Sequence, residues 1–233
     1  MHRRIHPHVR AGGKIVINPE FERWFGRDHP EEYCTGVFSD TMDKMGLSGR
    51  VISGWKLNNP RARLFGKVRT LLVEAVETND ERIQQGLNFL SSLGGSDVFV
   101  VKGNDQFAYF GELMSRLSQE LGLAGVIIDG LTRDTWYTQS IALPIFAKGY
   151  SPVDIKGRGR VASPDEPVVI DGLRVNPGDY VFADNDAAVF IPAEQISEVA
   201  DAVRTMVGKE AEIKRMIAEG RTIKEILTSH TEF

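Results

Sequence analysis

The chain is predicted to fold as one mixed α/β domain with peripheral helices, and three observations lead there. Two short runs, SDVFVVKG and AGVIIDG, are almost wholly apolar, the pattern of strands buried on both faces of a sheet. Stretches with helical periodicity lie between and around them, the alternation expected of a sheet layered with helices. No low-complexity linker and no internal repeat breaks the chain into separate units.

The elements follow in order. Residues 1–34 mix charge, proline and aromatics and read as an N-terminal extension lying against the body or a neighbouring subunit, anchored by Phe21, Trp24 and Phe25. A short helix carrying Val37, Met42 and Met45 is ended by Gly46. ARLFGKVRTLLVEAV is β-rich; after the turn residues Thr78, Asn79 and Asp80 a helix, ERIQQGLNFLSSL, stops at Gly94 and Gly95. The strand SDVFVVKG is followed by a loop, NDQFAYF, and then by a helix opening on Glu112, with Leu113, Met114, Leu117 and Leu121 as its apolar face. AGVIIDG returns as a buried strand, where Asp129 bonds to the turn behind it.

Beyond it, TWYTQSIALPIFAKG reads as a short helix or turn and then a strand, and KGRGRV sets Arg158 and Arg160 between glycines, either an anion-holding loop or a surface pair. Short strands resume through PVVIDGLRVNPGDYVFADNDAAVFIP, with Asp171, Asp179, Asp184 and Asp186 as turn formers. A long helix from about Ala193 to Glu219 follows, and Gly220 separates it from a last helix, TIKEILTSH, within residues 221–233.

Composition narrows the function. A net charge of −4 and no Lys/Arg block argue against nucleic acid as a partner. No apolar run is long enough to span a bilayer, MHRRIHPHVR lacks the apolar core of a secretory signal, and the single cysteine, Cys34, suits a reducing compartment; a cytoplasmic location is expected. The five histidines lie at positions 2, 6, 8, 29 and 230, which leaves the central region without an imidazole base; His2, His6 and His8 read as part of a flexible arm rather than a metal site. GxGxxG after a strand, GxxxxGK[ST] and GxSxG are all absent.

The chemistry concentrates in GELMSRLSQELGLAGVIIDGLTRD. Twenty residues separate Glu112 from Arg133 and its neighbour Asp134. A helix of about three turns returning along a strand of similar length brings its start back near the strand's far end, so both acids and the arginine can share a pocket. Carboxylates beside a guanidinium suit a hard cation and an anionic substrate. Taken alone, Glu112 is equally well a favourable first-turn acid, and Arg133 and Asp134 a loop-tying ion pair.

This stretch, together with LPIFAKG and PVVIDGLRVNPGDYVFADNDAAVFIP, resembles the RraA-like superfamily over Thr35 to Gly220. That family joins the regulator of ribonuclease E activity to class II 4-hydroxy-4-methyl-2-oxoglutarate/4-carboxy-4-hydroxy-2-oxoadipate aldolases. The resemblance implies a swivelling β/β/α-type catalytic domain over residues 35–220, a homotrimer or dimer of trimers, and active sites between subunits. It implies that Asp134 ligates Mg²⁺ or Mn²⁺, that Glu112 holds metal-bound water, and that Arg133 faces the substrate's C2 oxygen. Backbone N–H groups of Gly111, Glu112, Leu113 and Met114 would receive the carboxylate of a small 2-oxo acid, and Glu210 would come from a neighbouring subunit. Tyr137 stands where some aldolases carry an acid, and Ala187 where a glycine is usual.

The implied reaction cleaves a 4-hydroxy-2-oxo acid to pyruvate and a second carbonyl compound, with oxaloacetate decarboxylation at the same centre. With no lysine beside the motif, a Schiff-base route is disfavoured, and Lys102 and Lys148 read as surface or loop residues. Lys148, Arg158, Arg160 and the N-terminal arm are the candidates for a second substrate carboxylate. The alternative is a non-catalytic regulator that binds a ribonuclease.

Overall fold

The computed structural model describes residues 18–26, 30–76 and 83–229. The histidines at positions 2, 6, 8, 29 and 230 and the turn at residues 78–80 lie outside them. The described chain is a mixed α/β domain, as expected, built on a ten-stranded sheet. At its centre β3 (Leu64–Ala75), β4 (Asp97–Lys102), β6 (Gly125–Thr132) and β7 (Ile145–Tyr150) run parallel. Between β4 and β6 come a short strand, β5 (Ala108–Phe110), and the helix α4 (Glu112–Glu120). The stretch NDQFAYF is therefore not only loop: β5 continues alongside the end of β6, with Ala108 opposite Leu131 and Phe110 opposite Thr132.

Antiparallel strands complete the sheet. β11 (Tyr180–Ala183) pairs with β3 and with β12 (Ala187–Ile191), β1 (Val51–Ser53) edges β12, β2 (Lys56–Leu57) edges β7, and β8 (Gly159–Pro164) lies on β3. Only Gly54 and Trp55 separate β1 from β2, although the two strands flank opposite ends of the strand order. The sheet must therefore curl until its edges meet. Its inner face holds one apolar cluster, including Trp55, Val98, Val100, Ile127, Phe146 and Phe190, covered by the hairpin of β9 (Val168–Ile170) and β10 (Leu173–Val175).

The outer face carries two more clusters. Around β3, β11 and β12 it is covered by α1 (Pro19–Phe25), α2 (Thr35–Lys44) and α6 (Ile196–Ala218), with Phe21, Phe38 and Phe182 fully buried. Phe21, Trp24 and Phe25 thus anchor their segment in the core. Around β4, β6 and β7 the cover comes from α3 (Ile83–Ser92), β8 and α4. A short helix, α5 (Thr135–Thr138), follows β6, and α7 (Ile223–Ser229) folds back onto α6 through buried Ile213 and Ile226. Among the described residues no helix is long and apolar enough to cross a membrane.

Two sequence expectations change here. Asp184 does more than form a turn: its carboxylate accepts the backbone N–H and hydroxyl of Thr35 at 2.8 and 2.7 Å, capping α2 from across the chain because Cys34 at the cap position offers no side-chain bond. Asp179, also buried, accepts from Asn176 N–H and Ala193 N–H and pairs with Arg50. The apolar face of α4 is likewise not the one the leucines suggest. Ser115 and Ser118 are fully buried, with Met114 and Leu121 packed beside them, whereas Leu113 and Leu117 are 74% and 46% exposed.

The passage from β4 to β5 crosses β6 at Gly130, which sits at φ 158. A Cβ there would lie 2.6 Å from the Asn104 carbonyl oxygen and 2.8 Å from its nitrogen, both backbone atoms with little room to yield. Gly130→Ala is expected to lower unfolding free energy by about 3 kcal/mol, read as a shifted midpoint in chemical denaturation. An unchanged midpoint would show that the crossover is soft.

Candidate active site

The crossover brings β5 to the carboxyl end of β6, the end of a parallel sheet at which ligands generally bind. Arg133 N–H donates to the Phe110 carbonyl at 3.0 Å, which fixes the exit of β6 against the start of α4. Asp134 then takes the left-handed conformation, φ 59 and ψ 45, and starts α5 with its carbonyl accepting from Tyr137 and Thr138 N–H. Its side chain turns back, and Oδ2 accepts the Glu112 N–H at 2.9 Å. Such an acid at a helix N-terminus is favoured by the dipole as well as by the bond.

Gly111 is what permits the approach. A Cβ there would collide with the Asp134 carboxylate and stand 2.8 Å from Arg133 Cγ. The predicted spacing therefore does bring Glu112, Arg133 and Asp134 together. The Arg133 guanidinium lies between two carboxylates, 3.5 Å from Asp134 Oδ2 through Nε and 2.9 Å from Asp154 Oδ2 through Nη1. All three side chains are about one-third exposed, at 33%, 34% and 34% for Arg133, Asp134 and Asp154, so they stand open to a ligand from solution. Partial burial pushes the Asp154 carboxyl up, but the bond from Arg133 and the Lys156 N–H outweigh it and hold the group below its ordinary value.

Glu112 is partly engaged. Its Oε1 accepts from Arg116 Nε at 2.9 Å, one turn along α4, and the Arg116 guanidinium lies 4.2 Å from the centre of the Tyr137 ring. Because the Glu112 N–H is committed to Asp134, the donors left at this helix end with no partner among the described residues are the N–H groups of Gly111, Leu113 and Met114. Glu210 is elsewhere. It lies on α6 beside Lys214, 3.6 Å away, and Lys214 also pairs with Glu32.

The donor set fits a hard cation held sparsely. Among the described residues no group of three or more His, Cys, Asp or Glu side chains is arranged to chelate a metal. What the site offers is one carboxylate, Asp134, whose Oδ1 takes no described hydrogen bond, near Glu112 and Asp154. A single protein carboxylate with the remaining positions filled by water and substrate oxygens is the manner of Mg²⁺ or Mn²⁺, not of structural zinc.

Other expected residues fall outside. Arg160 belongs to β8 and pairs with Glu74 at 2.8 Å, and Arg158 donates to the carbonyls of Asp154 and Lys156, so the KGRGR stretch spends its arginines on the protein itself. Lys102 and Lys148 are strand residues, not loop residues. They close on opposite oxygens of Asp129, at 2.6 and 2.5 Å, on the inner face of the sheet. Asp129 is 1% exposed, and its two oxygens go to these lysines and not to the turn behind it: a buried carboxylate needs such partners. The hydrogen bond to Asp129 raises the Lys148 ammonium pKa, the opposite of what a Schiff-base lysine needs.

Sequence reasoning passed over Asp154 and Arg116. Arg116 was within reach, four residues after Glu112 on one helix. Asp154 had no comparable signal, since its tie to Arg133 spans the whole of β7 and the loop after it.

A family model described as RraA-like, Aldolase/RraA, matches residues 35–190. The chain is 26% identical over 189 residues to the protein DlpA of Legionella pneumophila, covering 80% of itself and 31% of that longer protein. It is 32% identical over 136 residues to the 4-hydroxy-4-methyl-2-oxoglutarate aldolase of Thermus thermophilus, 57% of this chain and 77% of that one. A solved Streptomyces coelicolor member of the RNase ES inhibitor RraA protein family superposes with a TM-score of 0.72 at 23% identity, covering 90% of this chain and 100% of the other, a likeness of fold.

Proposed function

The chain belongs to the RraA-like (Aldolase/RraA) family, and on that premise we propose that it is a divalent-metal-dependent lyase. It cleaves a 4-hydroxy-2-oxo acid to pyruvate and a second carbonyl compound, and decarboxylates oxaloacetate at the same centre. The observation that carries this reading is the fold-back of Asp134, which sets a carboxylate, a guanidinium and a helix N-terminus side by side.

Asp134 is the residue that would hold Mg²⁺ or Mn²⁺. A divalent ion there supplies Lewis acidity at the 2-keto oxygen, stabilising the transition state by roughly several kcal/mol. The chain's own groups do the rest. The N–H groups of Gly111, Leu113 and Met114 receive the carboxylate at C1 at the positive end of α4. Arg133 sets a fixed positive charge against the C2 oxygen as the C3–C4 bond breaks and its electron pair moves toward that oxygen. The proton of the C4 hydroxyl passes to water held by the Glu112 carboxylate, the C4 oxygen becomes a carbonyl, and a proton returned from that water to C3 completes pyruvate. Loss of CO₂ from oxaloacetate makes the same demand, because it too leaves its electron pair beside the keto group.

Glu210 completes the acid set only if a neighbouring copy brings its α6 to this site. The assembly proposed is a homotrimer or a dimer of trimers.

The test is a coupled pyruvate-release assay on oxaloacetate and a panel of 4-hydroxy-2-oxo acids, with and without EDTA. Turnover that EDTA abolishes and Mg²⁺ or Mn²⁺ restores is the expected result. No metal-dependent turnover on any of them would retire the lyase reading in favour of a regulator that binds a ribonuclease.

A further inference from the structure

We propose that Asp154 is a positioning residue of this site: it holds the Arg133 guanidinium in place and so leaves the Asp134 carboxylate free for the cation. The inference rests on the lyase reading and adds to it a residue outside the Glu112, Arg133, Asp134 group.

Three observations carry it. First, Asp154 makes the short contact to Arg133, 2.9 Å at Nη1, whereas Asp134 stands 3.5 Å from Nε with an oxygen already accepting the Glu112 N–H. Asp154 thus supplies the closer hold on the arginine, and Asp134 Oδ1 stays available to a cation.

Second, Asp154 is itself fixed by the strand that delivers the helix end. Its backbone bridges Ala108 of β5, Ala108 N–H donates to the Val153 carbonyl at 2.8 Å, and Lys156 N–H donates to Asp154 Oδ1 at 3.3 Å. Two residues beyond β5's Ala108 the same strand ends at Phe110, whose carbonyl accepts the Arg133 N–H. One short strand therefore sets the register of Asp154, the arginine's backbone and Gly111 together.

Third, the pair is about one-third exposed on both sides. Ion pairs in that setting contribute little to folding. Losing it should be felt as misdirection of the guanidinium rather than as loss of the fold, and a small misplacement of a catalytic group costs far more rate than stability.

The test uses the full chain with Mn²⁺ and whichever acid the wild type turns over, in a mutant cycle of Asp154→Asn, Arg133→Ala and the double variant, with Asp154→Glu as the conservative change. Asp154→Asn is expected to lower kcat by roughly ten- to a hundredfold. KM, the Mn²⁺ titration and the melting temperature should stay close to wild type, and Asp154→Glu should recover part of the loss. In the Arg133→Ala background the Asn substitution should cost nothing further, because the group it positions is gone. Wild-type kcat in Asp154→Asn, or the same fold-loss with and without Arg133, would overturn the assignment while the lyase reading stands. A wild type without metal-dependent turnover would instead remove the reading itself, and this inference with it.

Discussion

Arg133→Ala is expected to cut metal-dependent pyruvate release by about a hundred- to a thousandfold. The reason is where charge develops. In the proposed reaction, breaking the C3–C4 bond drives an electron pair toward the C2 oxygen, and Arg133 is the guanidinium beside Asp134, the acid proposed to hold the cation. A preorganised cation of this kind acts without reorganisation at the moment of reaction, whereas alanine leaves water to do the same work.

The fold should survive the change. Removing the guanidinium leaves Asp134 and Asp154 without it, yet both are about one-third exposed and can be hydrated, so the stability cost should stay within about 1 kcal/mol. Arg133→Lys is a sharper probe of geometry, because an ammonium keeps the charge but cannot present one edge to Asp154 and another to substrate. It should fall between wild type and alanine. Steady-state rates beside thermal melts check both; full activity in the alanine variant would reject the role given to Arg133.

The arrangement of this site was legible in the sequence to the extent that local rules govern it. The spacing from Glu112 to Arg133 and Asp134 is set by one helix of 9 residues and one strand of 8, and periodicity reports both. β4 and β6 were equally plain, since four consecutive buried residues, Val98 to Val101, belong to a strand covered on both faces.

What escaped depends on contacts between distant segments. Leu113 and Leu117 look like the buried side of α4, but the rotation of that helix is fixed by Asp134 binding its first N–H and by Gly111, which turns Ser115 and Ser118 inward instead. Lys102, Asp129 and Lys148 look unrelated until three parallel strands place them abreast, Lys102 directly opposite Asp129. Asp184 capping α2 and Asp154 holding Arg133 are pairings of the same long-range kind. Exposed Leu113 and Trp136, 74% and 72%, flank the site on α4 and α5, an apolar rim to which helical periodicity gave no pointer.

Asp134→Asn separates the acid's two duties, which is why it tests more than an alanine would. Asparagine tolerates the left-handed conformation at φ 59, and its amide oxygen can still accept the Glu112 N–H, so the fold-back that joins α4 to β6 is kept. What disappears is the negative charge. If that charge holds the cation, a calorimetric Mn²⁺ titration should weaken by at least about a hundredfold, since even the outer partners of metal ligands are worth ten- to a hundredfold in affinity. Pyruvate release should fall with it and recover little with added metal. Asp134→Ala should lose the same affinity and also about 1 to 2 kcal/mol of stability from strain in the left-handed region, so melting temperature tells the two variants apart. An asparagine variant that still titrates Mn²⁺ as the wild type does would place the ion on other oxygens, with Glu112 and Asp154 the next to examine.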